Sequence, residues 1–149
     1  MKFIILAISS GLGAGYVPFA PGTAGSIVGL LCYMVLHRMS FPVYLLSVLT
    51  ITVLAVWSSA IAERIYSEKD AKKIVVDEIA GMLVALAWMP FSMQAMIIGF
   101  ILFRFFDITK LFPVNLAHRR LSGGMAVVMD DILAGIYTNI CMHILRLLM

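Results

Sequence analysis

A chain of 149 residues that is 62% hydrophobic and only 13% charged is not an ordinary soluble domain, where charged residues make up about 25%. Its net charge of +3 comes from basic residues in a few short segments, which read as topology signals and contacts to anionic head groups. A nucleic-acid-binding surface would need a denser basic face, so nucleic acid is excluded as a partner, and the length suits one membrane-embedded domain over residues 1–149.

In chain order, Lys2 and the apolar run Phe3 to Ile8 faintly resemble a signal peptide. The apolar core is short and no small-x-small cleavage site follows, so the segment is expected to be retained. Residues 1–26 are rich in glycine and proline, which forbids one continuous helix. Thr23 or Ser26 is placed to cap a helix starting near Ala24. A glycine-rich loop at a helix N-terminus leaves amide N–H groups for a phosphate, although such loops also serve as packing corners. Residues 24–36 form an apolar helix that stops at His37-Arg38-Met39-Ser40. The uncharged run from Phe41 to Ala62 measures about 33 Å as a helix, one membrane span. Residues 63–73 form a charged loop in which Glu68 and Asp70 are solvated.

Ile79 to Phe103 is either a single span broken at Pro90 or a hairpin turning at Met89-Pro90-Phe91-Ser92. The segments on both sides are basic: residues 63–73 before it, and Arg104, Lys110, Arg119 and Arg120 after it. Only a hairpin puts both on the cytoplasmic side, so the hairpin is preferred, although each arm is short for a hydrocarbon core of ~30 Å. Residues 112–124 read as a loop, and Met125 to Met149 as a final helix with Asp130-Asp131 near its head. No internal repeat is visible. Cys32 and Cys141 stand in apolar runs and read as packed helix residues.

This topology gathers the glycine-rich loop, the pairs Asp77-Glu78 and Asp130-Asp131, Arg104, Asp107, Lys110, Arg119 and Arg120 on one side. The other side holds little more than Arg38 and Arg146. An ionised side chain at the bilayer centre costs about 3 kcal/mol, so five carboxylates there would cost roughly 15 kcal/mol. Something must offset that. Carboxylates without a His or Cys ligand set suit a hard cation, Mg²⁺ above all, and the nearby basic groups suit a phosphate. Together they suggest metal-assisted phosphoryl chemistry. The bland alternatives are an i,i+3 ion pair for Arg104 and Asp107 and dipole-favoured acids at helix heads for the two pairs. A different class of function is a small ion- or proton-coupled transporter, since intramembrane acids also mark ion pathways.

Four blocks carry a resemblance. They are Pro18-Phe19-Ala20-Pro21-Gly22-Thr23-Ala24-Gly25-Ser26, Val76-Asp77-Glu78-Ile79-Ala80-Gly81, Arg104-Phe105-Phe106-Asp107-Ile108-Thr109-Lys110, and Gly123-Gly124 followed by Asp130-Asp131-Ile132-Leu133-Ala134-Gly135. In that order they resemble the phosphatidylglycerophosphatase A family. The resemblance implies an all-helical, Mg²⁺-dependent phosphatase of the bacterial inner membrane. It would hydrolyse phosphatidylglycerophosphate to phosphatidylglycerol and phosphate, with its active site facing the cytoplasm. By the same resemblance Asp77, Glu78, Asp107, Asp130 and Asp131 are catalytic and metal-ligand candidates. Thr23, Ser26, Arg104 and Lys110 become phosphate-site candidates. Leu111 departs from a frequent Pro, and Ala126 from a common Gly, which bears on loop geometry beside the site. Neither cysteine precedes a Gly-rich loop and Arg, and the chain has no Asp-x-Asp motif, which argues against cysteine and aspartyl-phosphate phosphatases. The lipid's acyl chains are expected along the apolar helices, beside residues 24–36. Homo-oligomerisation is left open.

Overall fold

In the computed structural model, which describes residues 2–110 and 123–148, the apolar runs fold into six α-helices and one 3-10 turn, with no strand among the described residues. The helices are α1 (Lys2–Ser9), α2 (Pro21–Leu36), α3 (Phe41–Tyr66), α4 (Val76–Ala85), α5 (Met93–Thr109) and α6 (Gly124–Leu148), with the 3-10 turn at Ala14–Tyr16. The all-helical expectation holds. By length and composition, α3 and α6 are each long and apolar enough to cross a bilayer. Apolar side chains such as Leu46, Leu49, Val53 and Trp57 stand exposed along α3.

Several boundaries differ from the sequence reading. α2 starts at Pro21, not near Ala24, because proline's fixed φ suits the first helical position. The preceding Ala20 is left-handed at φ 51° and no side chain caps the helix. Ser26 therefore lies within the helix, and its hydroxyl donates to the Gly22 carbonyl at 2.9 Å. α3 runs on to Tyr66, so the start of the expected charged loop is helical.

The segment with two readings folds back on itself. α4 ends at Ala85, Trp88 takes a left-handed φ of 64°, and Ser92 caps α5 by accepting from the Ala95 amide at 3.1 Å. The head of α4 and the foot of α5 consequently share one end of the bundle. The structure also answers the length objection to the hairpin, because α4 is an interior helix. All its residues but Glu78 and Val84 are buried, and it packs against α2, α3, α5 and α6. Small residues let α6 come close. A Cβ on Gly81 would sit 2.6 Å from the Asp131 carbonyl oxygen, and one on Gly135 would run into the Gly81 carbonyl.

A short helix inside an apolar bundle leaves its last carbonyls without water or helical partners. Three side chains from neighbouring helices supply them. The Tyr44 hydroxyl donates to the Leu83 carbonyl at 2.6 Å, and the Tyr33 hydroxyl to the Met89 carbonyl at 2.9 Å. Asn139 Nδ2 donates to the carbonyls of Ala85 and Ala87, at 3.2 and 2.8 Å. Tyr44→Phe is expected to lower stability by about 1–3 kcal/mol, the cost of a buried carbonyl left unpaired. Thermal unfolding in detergent measures it, and an unchanged midpoint would show that the bond contributes nothing.

Candidate active site

The head of α4, the foot of α5, the first third of α6 and the first turns of α2 meet at one end of the bundle. They bring the separated polar blocks together. Asp77 and Glu78 occupy the first turn of α4, where the helix dipole favours carboxylates. Asp131 reaches them from α6, and one oxygen from each of the three lies within 4.8 Å of the others. Asp77 Oδ1, Glu78 Oε2 and Asp131 Oδ2 are buried without a hydrogen-bond partner. Burial, more than the neighbouring charges of Glu78 and Asp131, pushes Asp77 well above the usual carboxylate range. Burial likewise raises Glu78, outweighing its hydrogen bond to Asp77 and the nearby Arg104 charge. Buried carboxylates that repel one another and lack donors are a ligand set waiting for a cation. An all-oxygen donor set suits a hard divalent ion.

The basic candidates stand beside this triad, each tied to a carboxylate. Arg104 Nη1 bonds Asp107 Oδ2 at 2.6 Å and reaches Ser26 Oγ at 3.5 Å. Asp107 in turn is in hydrogen-bond contact with Asp131. Lys110, left-handed at the foot of α5, reaches Asp130 Oδ2 at 3.0 Å. The two members of Asp130-Asp131 thus have different surroundings, one facing a lysine and the other the carboxylate triad. Burial opposes the charge of Lys110, but the bond to Asp130 prevails and raises its pKa. Thr23 is half-buried in the first turn of α2, with no side-chain hydrogen bond to a charged group among the described residues. Arg119, Arg120, His118 and Leu111 lie outside the described residues.

Gly22 is a site residue that the sequence reading placed only in a phosphate loop. Its Cα faces the Glu78 carboxylate, and an added Cβ would also lie 3.2 and 3.3 Å from the two terminal nitrogens of Arg104. The signal available in sequence was the Pro-Gly pair itself, which marks a helix start but not what the glycine faces.

The chain matches the phosphatidylglycerophosphatase A family over residues 7–146. It belongs to that family. It is therefore an enzyme, a lipid phosphatase. Among curated proteins it is 33% identical over 135 residues to the phosphatidylglycerophosphatase A of Haemophilus influenzae, covering 89% of this chain and 83% of that protein. It is 30% identical over 130 residues to the phosphatidylglycerophosphatase A of Escherichia coli, covering 87% and 76%. It is also 34% identical over 153 residues to a Bacteroides thetaiotaomicron protein named as a candidate phosphatidylinositol-3-phosphatase, covering 97% and 95%. No solved structure matches it. All four blocks singled out above fall within the matched residues. Ala126 is buried in the first turn of α6.

Proposed function

We propose that this member of the family is a Mg²⁺-dependent phosphatase of the bacterial inner membrane. Its substrate is phosphatidylglycerophosphate and its products are phosphatidylglycerol and inorganic phosphate. The observation that carries the reading is the convergence of Asp77, Glu78 and Asp131 within 4.8 Å, in a chain whose relatives bear that enzymatic name.

The three carboxylates are the residues that would hold Mg²⁺. Once bound, the ion supplies positive charge to the phosphoryl oxygens and the leaving group. The remaining roles follow from position. Arg104 offers a guanidinium to the non-bridging phosphate oxygens, a bidentate match that lysine cannot provide. Asp107 holds that guanidinium in place at 2.6 Å, and the same nitrogen, Nη1, reaches Ser26 Oγ at 3.5 Å. Lys110, held by Asp130, adds a second positive charge. A water oxygen attacks phosphorus, its proton passing to a carboxylate, while the bond to the glycerol oxygen breaks and that oxygen takes up a proton.

The membrane reading fits this chemistry. A lipid phosphate lies at the bilayer surface, and a site at the ends of α2, α4, α5 and α6 meets it there without extracting the lipid. The exposed apolar flank of α3 is the surface a hydrocarbon core would cover. The basic residues of the loop after α3 support a cytoplasmic orientation for this end, by the bias of Lys and Arg toward cytoplasmic loops.

The test is phosphate release by purified protein from phosphatidylglycerophosphate, phosphatidic acid and phosphatidylinositol 3-phosphate, each with Mg²⁺ and with EDTA. Release is expected to be fastest from phosphatidylglycerophosphate, abolished by EDTA and restored by Mg²⁺. Preference for the inositol lipid would move the chain's specificity toward that of its Bacteroides relative. EDTA-resistant turnover would overturn the cation assignment.

A further inference from the structure

The end of the bundle opposite the carboxylates carries a second arrangement that phosphatase chemistry does not use. All eight acids of the chain belong to the other end: Glu63, Glu68 and Asp70 in and after the last turn of α3, Asp77 and Glu78 on α4, Asp107 on α5, Asp130 and Asp131 on α6. The opposite end has His37, Arg38, His143 and Arg146 and, among the described residues, no Asp or Glu side chain. A cavity at this end, of about 350 Å³, is lined by Tyr33, His37, Phe41, Tyr44, Trp88 and Arg146 among others. A guanidinium and an imidazole thus face one aromatic-walled recess.

The walls of this recess are built and held. His37 stacks on Phe91 with ring centroids 4.0 Å apart, and Phe41 packs on Trp88 at 4.4 Å. Tyr33 and Tyr44 are buried and fixed by their bonds to the Met89 and Leu83 carbonyls. Trp88 itself is 70% exposed in a left-handed conformation, φ 64°, that bulky residues avoid. That conformation sets the indole at the rim. Two smaller cavities of about 190 Å³ adjoin the recess. One shares Arg146 and is otherwise mostly apolar, with Ile98 and Leu145. The other shares Phe41, Tyr44 and Trp88 and continues onto Leu45 and Val48.

We infer that this recess binds the head group of an anionic phospholipid in the leaflet opposite the active site, with its acyl chains in the two flanking slots. The Arg146 guanidinium, with the His37 imidazole beside it, recognises a phosphodiester, the aromatic rim sits at head-group depth, and the adjoining apolar slots match the two chains. A cation in the last turn of α6 is favoured by the helix dipole, which explains a basic residue there but not the recess beside it. The inference rests on the bilayer placement proposed above and not on the reaction.

The test uses Trp88 as its own reporter. In full-length Trp57→Phe protein, Trp88 is the single tryptophan. It is reconstituted in phosphatidylcholine vesicles containing brominated phosphatidylcholine or brominated phosphatidylserine, whose bromines quench nearby indole fluorescence. Brominated phosphatidylserine should occupy the site about fivefold more strongly than the neutral lipid, the scale of one basic side chain at an anionic surface. Adding Arg146→Gln should bring the ratio to one. Arg146→Lys should keep most of the preference, which shows the loss is of charge and not of fold. Arg38→Gln, which removes a cation outside the recess, should leave the ratio unchanged. A ratio near one in the parent protein, or equal losses from Arg38→Gln and Arg146→Gln, would overturn the site in favour of diffuse surface charge. No quenching by either lipid would overturn it together with the bilayer placement, while phosphate release in detergent would still report separately on the enzyme.

Discussion

Asp131→Asn should lower turnover by at least about a hundredfold, the scale of losing a charged group that acts at the reacting centre. Asparagine keeps the shape of aspartate but replaces one acceptor oxygen with a donor and removes the charge. At this position the charge is what the geometry isolates, because Asp131 Oδ2 is buried without a partner beside Asp77 and Glu78. The same change relieves repulsion in the cation-free protein, so thermal stability in EDTA should hold or rise while activity collapses. Mn²⁺ binding followed by electron paramagnetic resonance should weaken in parallel. Asp130→Asn is the internal contrast. It loosens Lys110, its partner at 3.0 Å, and leaves the triad intact, so a loss nearer tenfold is expected, expressed mainly in KM. Near-normal turnover in Asp131→Asn would remove it from the site. Equal collapse in both variants would mean that Lys110 matters as much as the triad.

That contrast separates what the sequence makes legible from what it does not. Asp130-Asp131 stands out as an acidic pair at the head of an apolar helix, and the charge economy of membranes predicts that such acids share a purpose. Adjacent residues on a helix point about 100° apart, however, so at most one can face a given partner. Which one does depends on the rotation of α6 against α4, set by the close contact of Gly81 and Gly135. The hairpin was legible from the basic residues at both its ends. The interior position of α4 was not, because its apolar sequence would serve equally well facing lipid. Nor could the sequence show Tyr33, Tyr44 and Asn139 holding the carbonyls of its end and of the turn after it, since nothing local distinguishes them from other residues of α2, α3 and α6. The misplaced start of α2 has a local cause: Ser and Thr were read as caps, whereas Pro21 already supplies a helical start that needs none.

Gly22→Ala should cost activity without costing stability, and the two effects have opposite physical origins. Alanine is a better helix former than glycine by about 1 kcal/mol, so at the second residue of α2 the folded state should be no weaker. The new methyl group, however, would enter the space held by the Glu78 carboxylate and lie 3.2 Å from Arg104 Nη1. Glu78 is then pushed out of the triad, or Arg104 away from the phosphate position. A displacement of about 1 Å at a reacting centre costs on the order of a hundredfold. Gly29→Ala tests the same helix seam away from the site, because its added carbon would meet Met82 Cβ at 2.7 Å and no charged group. That variant should lose stability and keep its specific activity once folded. If Gly22→Ala lowers the unfolding midpoint as much as Gly29→Ala does and turns over normally, the head of α2 is only a packing corner and its glycine has no part in shaping the site.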